Sequence, residues 1–139
     1  MSAIIANYAL TMKDAADPST STSTTDMSAD SWSEIIPLER AFVGEIHLHF
    51  TAGRSGNLYM QVSNDFGVGD DRGVERINSE NLITNWVNQQ AAVAVGATDT
   101  NARIALNDIG ARWGRVYWDQ TGGSTGGVIS SSRANIKGW

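Results

Sequence analysis

The stretch Phe42–Phe50, FVGEIHLHF, most narrowly limits what this chain can fold into. Phe42, Ile46, Leu48 and Phe50 fall on one side of an extended backbone, and Val43, Glu45, His47 and His49 on the other. Alternation of this length with period two is the mark of a β-strand with one buried and one wet face. A helix would scatter the same residues around its circumference.

The pattern recurs. After the glycine-bearing turn Thr51–Gly56, the segment Asn57–Asp65 places Leu58, Met60 and Val62 inward and Tyr59, Gln61 and Ser63 outward. The two segments read as an antiparallel hairpin. Towards the C-terminus, RWGRVYWDQ (Arg112–Gln120) alternates again, with Trp113, Arg115 and Tyr117 on one face and Gly114, Val116 and Trp118 on the other. TGGSTGG follows, rich in residues that tolerate positive φ, and then a returning strand. This reads as a second hairpin. Shorter strands are expected at Ala92–Val95 and around Ile104–Leu106, with a turn at Asn107–Gly110. Leu82, Ile83, Trp86 and Val87 fit either one helical turn or a strand.

Fourteen glycines, two prolines and abundant Ser and Thr suit many short strands better than helices. About eight strands at such spacing predict an all-β fold, an antiparallel β-sandwich of jelly-roll type. At 139 residues the chain forms one domain and buries a core without cross-links. Residues 1–26 read as an extended N-terminal arm with a Ser/Thr-rich tract, Ser19–Thr25, that is either a flexible linker or an exposed strand. Residues 27–139 read as the sandwich.

With no cysteine, the chain makes no disulfide, thiolate metal site or thiol nucleophile. A net charge of −5 and a pI of about 4.8, with no basic run, argue against nucleic acid as a partner. No apolar run approaches the length of a membrane span, and the N-terminus lacks the pattern of a secretory signal. Glu45, His47 and His49 on one strand face are donors a transition metal would accept. A polar, interface-facing surface explains them equally. Asp65, Asp70, Asp71 and Glu75 sit in a glycine-rich loop but lack the spacing of a calcium loop. No nucleophile elbow, phosphate loop or paired-carboxylate constellation is complete. The chain reads as a non-enzyme without cofactor or metal.

Five tryptophans are many for this length. Two or three belong in the core, and the rest are candidates for an interface. The interface candidates are Tyr8, Trp32, His47, His49, Tyr59, Trp118 and Trp139. Tyr59 and Trp118, with Asp119, would form a platform for stacking sugars.

The order of these segments, ending with GNLYMQVSND and then ARIALNDIGARWGRVYWDQTGGSTGGVISSSRANIKG, resembles a group of small β-sandwich virion proteins of tailed bacteriophages. The likeness covers about Glu45–Lys137 and is most specific at Gln61–Asp65 and Ala111–Gly127. Trp118 and Asp119 stand where the group often has Thr, and the loop Asp65–Asn81 is longer and more charged. A looser likeness, in the rhythm of the Arg112–Val116 strand, is to discoidin-type sandwiches. The resemblance implies a structural virion component: a head decoration or cement protein contacting the major capsid protein or other virion proteins, homo-oligomeric in the particle. The alternative is a tail, neck or fibre module that recognises host-surface glycans.

Overall fold

The computed structural model of the chain describes residues 3–13, 21–22, 25–64, 85–123 and 127–138. Among them the structure is all-β. The strands are β1 (Ala3–Ala9), β2 (Met12–Lys13), β3 (Ser21–Thr22), β4 (Thr25–Asp26), β5 (Ser31–Trp32), β6 (Ile36–Pro37), β7 (Ala41–Phe50), β8 (Arg54–Ser63), β9 (Val87–Asn88), β10 (Val93–Val95), β11 (Asn101–Leu106), β12 (Trp113–Gly123) and β13 (Val128–Gly138). Two antiparallel sheets hold nearly all of them. The first runs β1-β13-β7-β11, with β4 also on β13. The second runs β10-β8-β12-β5, with β6 also on β12 and β9 on β8. The expected β-sandwich is observed.

Both expected hairpins are overturned. β7 and β8 follow one another in the chain but lie in different sheets, as do β12 and β13. Each pair is an arch whose connection crosses from sheet to sheet, and the two arches nest, so that β7 pairs with β13 and β8 with β12. The physical reason is burial. Ile46, Leu48 and Phe50 of β7 and Leu58, Met60 and Val62 of β8 are all buried. In a hairpin these six side chains would lie side by side on one sheet and need a further layer to cover them. In an arch they face one another across the roughly 10 Å between packed sheets. The connection finds its own backbone partners: Thr51 N–H donates to the Val128 carbonyl at 2.9 Å and Gly53 N–H to the Ala97 carbonyl at 2.8 Å.

The N-terminal segment is also built in rather than extended away from the domain. β1 pairs antiparallel with β13 from Ala3↔Gly138 to Ala9↔Arg133. Leu10 and Met12 then turn into the core, in one cluster with Met27, Ile36, Leu38 and Trp118. β4 pairs with β13, and β2 with β3. Of the segment left open around Trp86, Leu82 and Ile83 lie outside the described residues, and Val87–Asn88 form the short strand β9 beside Gln61 and Val62 of β8.

Candidate functional site

The outer face of the second sheet carries a row of aromatic side chains across three strands. Tyr117 on β12 is the register partner of Trp32 on β5 and of Tyr59 on β8. The reason is local. Along β12, Val116 and Trp118 point into the core, so Arg115, Tyr117 and Asp119 must point out. Trp32 is placed the same way, between buried Ser31 and Ser33. Ser33 pins this short strand: its N–H donates to the Val116 carbonyl and its Oγ accepts from the Val116 N–H, both at 2.8 Å. The Trp32 and Tyr117 rings lie parallel within 2°, with centroids 6.3 Å apart. Two strand-to-strand steps make the row about 10 Å long, before ring widths are added. All three side chains are half-buried, with their surfaces in reach of solvent.

Polar groups flank the row on both sides. On one side Arg115 and Gln61 are register partners, and Arg115 Nε donates to Gln61 Oε1 at 2.8 Å. The Arg115 guanidinium sits 4.4 Å from the Trp86 ring centroid, 5.4 Å from that of Trp32 and 5.5 Å from that of Tyr117. Burial among these rings lowers its pKa to about 10, which leaves it charged at neutral pH. On the other side Asp119 pairs with Asn57. Asp30 accepts from Gln120 N–H at 3.0 Å and, more weakly, from Tyr117 O–H at 3.4 Å. Burial first, and then the neighbouring Asp30 and Asp119 charges, raise the Tyr117 phenol above its ordinary value. The face therefore offers ring surfaces for stacking, carboxylates and amides for hydroxyl groups, and one guanidinium.

Trp118 does not belong to it. The ring is fully buried, and its indole N–H donates to the Met27 carbonyl at 2.9 Å. Trp118 is thus a core residue and not an interface candidate, and a platform of Tyr59 and Trp118 is not assembled. Tyr59 and Trp32 lie in one row, with Tyr117 between them. Tyr117, Arg115 and Trp86 are the members that sequence reasoning missed. The signal for the first two was present, since they alternate with Trp118 and must take the opposite face.

His47 and His49 are exposed on the outer face of the first sheet, far from the aromatic row in strand order. Glu45 there accepts from Arg103 Nε at 2.8 Å and from Arg103 Nη2, and meets His47 Nε2 at 3.0 Å. The hydrogen bond from Arg103, more than that from His47, holds the Glu45 carboxyl below its ordinary value. Two of the three possible metal donors, Glu45 and His47, are thus engaged with one another, and Glu45 also with Arg103. Among the described residues no group of three His, Cys, Asp or Glu side chains could hold a metal ion. Beside them lies a shallow depression of about 370 Å³ lined by Val43, Glu45, Arg103, Asn107, Asn135 and Lys137. Trp139, the side chain of Tyr8 and the loop bearing Asp65, Asp70, Asp71 and Glu75 lie outside the described residues.

No protein-family model and no curated protein matches this chain. Solved structures similar to it include chitosan-binding module 1 of a chitosanase/glucanase from Paenibacillus sp. IK-5. That module is 19% identical over 86% of this chain and 81% of its own, with a TM-score of 0.48. A selenomethionine-labelled variant of the same module gives 17% identity, coverage of 81% and 74%, and a TM-score of 0.49. A xylan-binding domain from Paenibacillus barcinonensis is 12% identical over 77% of this chain and 71% of its own, with a TM-score of 0.41. Likeness at this level concerns architecture and says nothing of this chain's ligand.

Proposed function

We propose that this chain is a non-catalytic β-sandwich module that binds glycans on the outer face of its second sheet. The row Trp32–Tyr117–Tyr59 carries the reading. Aromatic side chains left half-exposed in cross-strand register form a continuous apolar strip, and an apolar strip rimmed by polar groups is what a sugar's mixed surface fits. The C–H face of a pyranose packs on the rings while its hydroxyls donate to Asp30, Asp119 and Asn57. A head-decoration role would call on a free arm to reach a neighbour, whereas β1 is paired with β13 of its own chain. The glycan-binding alternative is therefore preferred to the cement reading, and a tail or fibre setting is compatible with it.

The test is affinity electrophoresis in native gels cast with soluble glucans, xylans, mannans and polyuronates. Retardation by at least one polysaccharide is expected, with loss of retardation in Trp32→Ala and Tyr117→Ala and none in His49→Ala. Mobility unaffected by every polysaccharide would sink the proposal.

A further inference from the structure

Arg115 stands apart from the other polar groups of this face. Its guanidinium is framed by three aromatic rings and has, among the described residues, a single hydrogen bond, from Nε to Gln61. Among the described residues no carboxylate accepts from it, although Asp30 and Asp119 lie on the same face. Those two are turned to the far side of Tyr117, where Asp30 caps the Gln120 N–H. Among the described residues the Nη groups have no hydrogen-bond partner, and they are absent from the sealed, unsatisfied atoms of the interior, which there are Ser31 Oγ, Ser132 Oγ and Asn135 Oδ1. They therefore open to solvent from a half-buried base.

A buried cation ordinarily recovers its lost hydration from a carboxylate partner. Here the rings supply part of that and leave the two Nη donors of the planar fork unused. Stacking on the rings and the Gln61 bond hold the fork in one orientation, so little freedom remains to be lost when a planar anion meets it. A carboxylate matches that fork with two parallel N–H···O bonds.

We propose that the ligand of this face is an acidic glycan, one whose sugar rings stack on Trp32, Tyr117 and Tyr59 while a uronate carboxylate docks on Arg115. This rests on the glycan-binding reading above and names the substrate class for it. The strip has two unlike flanks, with the cation along one and Asp30 and Asp119 along the other, so a bound sugar presents a different edge to each. Its carboxylate lies against Arg115 and its hydroxyls point towards the aspartates. The net charge of −5 opposes approach of a polyanion. At physiological ionic strength, however, that repulsion is screened beyond roughly 8 Å, and the fork acts at contact.

The experiment is isothermal titration of the full chain with matched pairs of oligosaccharides, each a uronate and its counterpart with the carboxyl reduced to a hydroxymethyl group. The pairs cover β-glucuronan, alginate and pectin fragments. In at least one pair the uronate is expected to bind tenfold or more tighter than its neutral counterpart. Arg115→Gln should abolish that difference, and Arg115→Lys, which keeps the charge but loses the fork, should restore only part of it. Circular dichroism of each variant checks that the fold is intact. Equal affinity within every pair, with binding still lost in Trp32→Ala, would overturn the acidic preference and leave the platform standing. Binding to no member of any pair would overturn both.

Discussion

Trp118 and Tyr117 are neighbours in the chain with opposite tasks. Trp118 fills the core and satisfies its N–H on the Met27 carbonyl, while Tyr117 faces outward and stacks with Trp32. Trp118→Ala should therefore cost about 3–5 kcal/mol of stability. Tyr117→Ala should cost only about 1 kcal/mol, the worth of a partly exposed aromatic pair, and urea denaturation of both variants checks the contrast. Gly56 belongs to the same packing. A Cβ there would lie 2.6 Å from Trp118 Cη2 and press on the Asp119 carbonyl. Gly56→Ala should thus destabilise by about 1–3 kcal/mol, since the neighbouring backbone cannot yield. The phenol of Tyr117 supplies a pH signature. Its folded pKa is raised, so the stability it contributes is complete below its unfolded pKa and is lost as pH rises through the folded value. In a spectrophotometric tyrosine titration, a component that ionises later than an ordinary phenol should disappear in Tyr117→Phe. Its persistence would show that the late tyrosine is another one.

At the scale of elements, alternation identified the long strands and the inward faces of β7 and β8, but not that of β12, where Trp118 lies within, and the pairing followed a different rule. Neighbouring strands in sequence pair more often than not, and each apolar face looks the same in a hairpin as in an arch. What distinguishes the two is the partner across the core, which no local pattern contains. The same holds for β1. Read alone, Ala3–Ala9 is a weakly alternating arm, whereas β13 offers it an open edge, and pairing there satisfies backbone groups of both strands. Removing residues 1–9 should expose that edge of β13, lower the urea midpoint and promote association through the bared strand. An unchanged midpoint and a monomeric truncated chain would mean that β1 contributes nothing to the sheet. The candidate site shows the same division. Arg115, Tyr117 and Asp119 share a face by parity alone, but Trp32 and Trp86 reach them only because β5 and β9 join the second sheet's ladder.

For the whole molecule, the pairings that close the sandwich join distant parts of the chain: β1 with β13, β5 with β12, β8 with β12. A topology of this kind pays its loop-closure entropy before contacts reward it, so stopped-flow refolding should fall in the range of milliseconds to seconds. One continuous core, running from Leu10 to Ile136, implies that fluorescence and circular dichroism unfold it in a single coincident transition. Separate transitions would indicate that the sheets are not one cooperative unit. The sequence by itself determined the class of fold, the inward faces of β7 and β8 and the absence of any cysteine chemistry. These follow from side-chain identity and from the period of the extended backbone. Only the tertiary structure decided which strands pair, that Trp118 lies within, and that Trp32, Tyr59, Tyr117, Trp86 and Arg115 gather on one surface. Those outcomes depend on which apolar faces meet across the core, and that is a property of the chain folded as a whole.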